Sequence, residues 1–269
     1  MRSVRSIFMG LVYMFLYAPI MILVFFSFNA GKSTSVFSGF SLKWYGELFS
    51  NGEAMNALGN TLLLAVTSAL IATVIGTVAA VGIYNMRSKF LSSTVMSVTN
   101  IPMMNPDIVT GVSLMLLFVF VGRLVGAATS LNFVTLLIAH VTFSIPYVIL
   151  NVLPKLRQTD SRLSEAAQDL GCTPVQAFFK VVLPSIAPGI FAALLMAFTL
   201  SLDDFVISYY TNGADFQTLP LMIYSMTKKT VRPDMYALST LIFVTILILL
   251  IVSNILQEKS DKKNRKGIN

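Results

Sequence analysis

Long apolar runs recur along this chain, separated by short stretches where charged residues, glycine, proline and asparagine collect. The runs cover approximately Ile7–Phe28, Leu58–Tyr84, Ser92–Val121, Leu131–Leu153, Ile186–Tyr210 and Tyr236–Leu256. A helical span of the bilayer core uses roughly 20 apolar residues, so the pattern predicts an all-α integral membrane protein with about six transmembrane helices. It leaves no room for a large soluble domain, and residues 1–269 read as a single membrane domain. The first run exceeds a secretory h-region of about 7–15 residues, and no small-x-small cleavage site follows it. It is read as a retained helix.

The third run is too long for one span. As straight helix, Ser92–Val121 would reach about 45 Å, against a hydrocarbon core of about 30 Å. It also contains Asn100, Pro102, Asn105, Pro106 and Asp107. Asn105 before Pro106 reads as an N-cap followed by the first helical residue, so a second helix is expected to start there. Broken helices at membrane depth occur where they are buried in protein or line a cavity, which favours a channel-forming bundle over a simple anchor. Two other runs carry small residues at helical spacing: Ser68, Ala72, Gly76 and Ala80, and then Gly189, Ala193, Ala197 and Ser201. Such stripes let backbones approach closely, within the chain or across a subunit interface.

Charge orients the spans. An even number of them puts both termini on one side, with Arg2, Arg5, Arg87, Lys89, Lys155, Arg157, Arg162, Lys180 and the basic tail over 257–269. The opposite side holds fewer cations: Lys32, Lys43, Arg123, Lys228, Lys229 and Arg232. Lysine and arginine are retained in the cytoplasm, so both termini are expected there. The net charge of +7 is explained in the same way, and no nucleic-acid partner is expected. Composition agrees: the chain is 55% hydrophobic and 12% charged with a mean hydropathy of +0.77, where soluble domains are about 25% charged. One cysteine, Cys172, excludes an internal disulfide framework and any multi-cysteine metal site; no metal site is expected.

The polar stretch over 154–184 carries the most specific signal. Ser164–Leu170 reads as a short amphipathic helix, Gly171 as the residue just past its end where φ is usually positive, and Pro174 as a bar to continuation. A short helix with small alanines, projecting from a membrane face, suits docking into a groove of another protein. Glu165, Ala166, Ala167, Gly171, Val181, Leu183 and Pro184 fit the pattern E-A-A-x3-G-x9-[IV]-x-L-P. That pattern resembles the EAA loop of bacterial binding-protein-dependent ABC importers, with valine where isoleucine is usual. The resemblance extends through Ser41–Tyr45, Met104–Val109, Phe198–Asp204 and Leu219–Ser225, which look like the PotC-type spermidine/putrescine permeases.

The resemblance implies a type I ABC importer permease fold with a core over 57–256, in a bacterial cytoplasmic membrane. It further implies a second permease of the PotB type, an ATPase dimer that uses ATP and Mg, and an extracytoplasmic polyamine-binding protein. The 154–184 loop would be the cytoplasmic coupling element seated in the ATPase. The chain itself is expected to be non-catalytic and to bind no cofactor. Gly31-Lys32-Ser33-Thr34 looks like the end of a phosphate loop, but that loop needs glycine five residues earlier, where Phe26 stands.

Acids inside apolar runs are the candidate substrate-path residues. An aspartate at mid-helix costs about 2.5–3.5 kcal/mol on insertion scales, so such acids usually face a bundle interior or polar path. Asp107, Asp203 and Asp204 are the candidates. As continuous helix, Asp204 would precede Tyr210 by about 9 Å and adjacent aspartates would diverge by about 100°. Polyamines are protonated at neutral pH, as lysine is, and their path should contain carboxylates and aromatic faces such as Tyr209, Tyr210 and Tyr224. Asp107 is equally explained as a first-turn acid favoured by the helix dipole. His140 reads as a hydrogen-bonded interior residue and Cys172 as a small residue beside Gly171. Two alternatives stay open: an ABC permease for another small solute, and an ion-coupled secondary transporter with broken helices. A membrane enzyme lacks the residues for its chemistry.

Overall fold

A computed structural model describes residues 2–31, 36–126, 131–160, 162–228, 235–248 and 251. The described residues are helical apart from turns, short irregular connections and one isolated antiparallel bridge between Asn29 and Phe40. In chain order the helices are α1 (Arg2–Ser27), α2 (Lys43–Ser50), α3 (Gly52–Tyr84), α4 (Lys89–Met104), α5 (Asp107–Val125) and α6 (Phe133–Gln158). There follow α7 (Arg162–Asp169), α8 (Pro174–Ala177), a π-helical turn (Phe178–Val182), α9 (Leu183–Asp203), α10 (Val206–Thr211) and α11 (Leu219–Thr227). The last described helix is α12 (Met235–Ile248).

Among the described residues, five helical segments are long and apolar enough to cross a membrane: Arg5–Ser27, Gly52–Tyr84, Asp107–Val125, Phe133–Gln158 and Pro174–Asp203. The sixth expected run, Tyr236–Leu256, is described only over the shorter α12 and residue 251. The basic tail over 257–269 lies outside the described residues, as do Lys32, Lys229 and Arg232.

The chain forms two compact units, Met1–Leu58 with Met222–Leu250, and Gly59–Leu221. In the first, Asn29 organises the segment after α1. Its carboxamide accepts the Ser38 N–H at 2.7 Å and the Gly31 N–H at 3.3 Å, and donates to Val36 O at 2.9 Å. Its backbone carbonyl accepts the indole N–H of buried Trp44 at 2.6 Å. Phe28 stacks on Phe40 and tilts against Tyr45, whose hydroxyl bonds Ser27 at 2.8 Å. Buried polar groups need such partners, and here they hold the aromatic residues in register around α2.

The second unit is built around α6. Ala69, Ala72 and Ala80 of α3, Val148, Val152 and Leu156 of α6, and Ile186, Ala193 and Ala197 of α9 form its apolar core. The two small-residue stripes pack within the chain. A Cβ added at Gly76 would fall 2.6 Å from Val148 Cγ1, and one at Gly189 would fall 2.6 Å from Lys155 Cγ. Both glycines therefore give α6 the close approach that drives helix association where solvent provides no hydrophobic force.

Two expectations need correction. The Ser92–Val121 run does break, but Asn105 is not the side-chain cap of the second helix. Asn105 closes α4, its N–H bonding Ile101 O at 3.1 Å, and its amide donates to Thr110 Oγ1 at 3.3 Å. Pro106 occupies the cap position and Asp107 begins α5. The Ile186–Tyr210 run is not one helix. It stops at Asp203 and restarts at Val206, so Asp203 and Asp204 do not follow the helical spacing expected of them.

Candidate functional site

Helix α7 starts at Arg162 and ends at Asp169, two residues and one residue earlier than the amphipathic pattern suggests. Ala167 is buried, while Glu165 and Ala166 are exposed. Gly171 has φ +91°. Its N–H bonds Gln168 O at 2.9 Å, and the Cys172 N–H bonds Ala167 O at 3.0 Å. This pair of bonds is the Schellman closure of a helix end, with glycine at the left-handed position. The chain then restarts at once. Thr173 Oγ1 accepts the Gln176 N–H at 3.3 Å, and Gln176 Oε1 accepts the Thr173 N–H at 3.1 Å, so α8 opens with a reciprocal capping box and Pro174 in its first turn.

The π-helical turn joins α8 to α9 directly ahead of Pro184, where the Leu183 N–H reaches back to Phe178 O. Proline offers no N–H and its ring crowds the carbonyl four residues earlier, so the turn widens there. Val181 and Leu183 are half-buried and Pro184 is exposed; Val182 and Leu183 pack on the core around α6. A cleft of about 430 Å³ opens between this loop and the ends of α3 and α6, lined by Tyr84, Asn85, Thr159, Glu165, Gln168 and Phe178 among others. The sequence pattern missed a set of exposed apolar side chains on the same loop: Leu163, Leu170 (87% exposed), Val175 and Phe179. Their signal was present as apolar residues in an otherwise polar stretch.

The acids gather at the second helix break. Asp204 follows α9, and its carboxylate accepts the N–H groups of Ile207 at 3.3 Å and Ser208 at 2.8 Å, capping α10. Asp203 ends α9 and is exposed. Asp107 stands in the first turn of α5, the helix that packs against α10. Gly111 admits α10 to α5: a Cβ there would lie 3.0 Å from Tyr210 Cδ2. Tyr209 meets Tyr210 edge-on at 5.2 Å between ring centroids. Asp107, Asp203, Asp204, Tyr209 and Tyr210 are thus placed around the α5–α10 contact. Tyr224 belongs to the other compact unit, where the Lys228 ammonium lies 4.5 Å from its ring centroid. His140 is an interior residue, 2% exposed, with both ring nitrogens bonded to serine hydroxyls.

A family model described as the binding-protein-dependent transport system inner membrane component matches residues 72–266. The chain belongs to this family. It is a multi-pass membrane permease component. It is 38% identical over 264 residues to the putrescine transport system permease protein PotI of Escherichia coli (strain K12), covering 98% of this chain and 94% of that one. It is 39% identical over 257 residues to the spermidine/putrescine transport system permease protein PotC of Haemophilus influenzae, covering 96% and 97%. In fold it resembles a bacterial ABC transporter that imports the acidic polysaccharide alginate, with TM-score 0.74, 16% identity and coverage of 96% and 95%. It also resembles an inward-facing MetNI methionine ABC transporter, with TM-score 0.64, 19% identity and coverage of 81% and 98%. Its fold is that of an ABC importer permease.

Proposed function

We propose that this chain is the permease subunit of an ATP-driven importer of polyamines, spermidine or putrescine, in a bacterial cytoplasmic membrane. The observation that carries the substrate is the near-full-length similarity to relatives named for putrescine and spermidine. The acid and tyrosine cluster at the α9–α10 break supports it, because multiply charged amines need carboxylates and aromatic faces where water is scarce. An extracytoplasmic binding protein delivers the amine, a PotB-type second permease completes the path, and two ATPase copies bind ATP and Mg.

Glu165, Ala166, Ala167, Gly171, Val181, Leu183 and Pro184 are the coupling residues in this reading. The exposed Leu170, Val175 and Phe179 are the apolar contacts a docking helix buries in a partner groove. Closure of the ATPase then moves the loop, and access alternates from one membrane face to the other. Both termini face the cytoplasm by the distribution of lysine and arginine.

The test is uptake by the complex reconstituted in proteoliposomes with its binding protein. Radiolabelled spermidine or putrescine should accumulate only with internal ATP and Mg. Accumulation of another solute in their place would reassign the substrate. Accumulation driven by an ion gradient without ATP would reassign the class.

A further inference from the structure

The α9–α10 break carries a polar chain whose members come from four helices. Ser68 of α3 donates to Ser201 Oγ of α9 at 2.9 Å. Ser201 Oγ lies 2.8 Å from Nδ1 of His140 on α6. The other ring nitrogen lies 3.0 Å from Ser208 Oγ of α10 and 3.6 Å from a carboxylate oxygen of Asp204. The Ser208 backbone N–H donates to that carboxylate at 2.8 Å. Ser68, His140, Ser201 and Ser208 are all buried.

Donor direction follows from Ser68 forwards. Ser201 Oγ accepts the Ser68 proton, which leaves its own hydroxyl to donate to Nδ1 of His140. A neutral ring that accepts at Nδ1 carries its proton on Nε2, which donates to Ser208 Oγ. Each donor points towards Asp204. The two neighbouring acids therefore have different employment. Asp204 is committed to two backbone N–H groups and to this chain. Asp203 is exposed, and among the described residues its carboxylate takes no hydrogen bond from another residue.

We propose that His140 is a positioning residue for transport: it clamps Asp204 as the cap of α10 and leaves Asp203 as the acid that meets the substrate's ammonium groups. This rests on the polyamine-path reading above. The clamp gives α10, with Tyr209 and Tyr210, one orientation against α5. A partly broken buried network is worse than an intact one, so losing any link frees the α10 cap.

A double-mutant cycle on the reconstituted complex tests it. His140→Phe and Asp204→Asn should each lower the maximal uptake rate about tenfold, in the range expected when a buried hydrogen-bonding group loses its partner. The double variant should be no slower than the worse single. His140→Gln, whose amide still donates and accepts, should recover most of the rate. Ser208→Ala removes the relaying hydroxyl with little change in volume, and serves where His140→Phe reduces assembly with the ATPase. Asp203→Asn should instead raise the half-saturating concentration, more for spermidine than for putrescine, and its effect should multiply with that of His140→Phe. Multiplicative losses for His140→Phe with Asp204→Asn, or wild-type uptake by His140→Phe or Ser208→Ala, would overturn the clamp. Wild-type uptake of both amines by Asp203→Asn would overturn the path reading and leave the clamp to be judged by the cycle.

Discussion

Gly171 shows how one backbone conformation closes a helix that is proposed to carry a partner contact. At φ +91° a β-branched side chain would be strained by about 1–2 kcal/mol, and the two closing bonds of α7 would be the first to give. Gly171→Val should therefore insert normally but lose uptake by about tenfold or more, with ATP hydrolysis no longer stimulated by loaded binding protein. Membrane yield and ATPase assays on the same preparation check this; normal uptake at normal yield would contradict it. The glycine was legible, because a small-residue helix followed by Gly and then Pro has few other readings. Asp204 was not. An acid followed by Phe-Val-Ile-Ser is a helix-start signal, but it sits inside an apolar run whose length matched one span, and length masked the cap.

The helix packing in the second unit depends on small residues at specific contacts. At Gly76 the nearest atoms to a new Cβ are Val148 Cγ1 and Cβ, at 2.6 and 2.7 Å, and neither is the loose end of a long side chain. Gly76→Val should lower stability by about 1–3 kcal/mol. The measurement is thermal stability in detergent, followed by size-exclusion fluorescence. Val148→Gly in the same chain should return part of the loss, because it removes both opposing atoms, whereas Val148→Ala keeps the Cβ at 2.7 Å and should return less. The stripes themselves were legible as spacing, but spacing alone did not say which helix they faced. Proline and asparagine marked the α4–α5 break within a residue or two. The π-helical turn was not legible, since its cause is the crowding of a carbonyl by Pro184 and its form depends on how α9 packs.

For the whole protein, solvent is the deciding variable. The window of α1 that would cross a membrane has none of its residues buried within the chain, which is tolerable only where lipid or a partner subunit replaces water. Periodicity and composition therefore gave the class of protein directly. They did not give the outward-facing partner surfaces, because an apolar side chain looks the same in sequence whether lipid or protein covers it. The isolated chain is predicted to bind no nucleotide, since the only phosphate-loop-like string lacks its first glycine at Phe26. Photo-labelling with an ATP analogue should mark the ATPase subunit in the complex and leave this chain unmarked, and labelling of this chain at one site would refute the prediction.

Helix α9 begins at Leu183, beside the coupling loop, and ends at Asp203, so a single rod of about 30 Å joins the two. Under the proposed coupling, a push on the loop end would reach the acid end through this rod, whose one weakened place is Pro188, where an internal N–H is missing close to the loop. The full break comes only afterwards, between Asp203 and Val206. In that reading α9 would serve as a connecting rod, with the engine at the loop end setting the timing at the acid end.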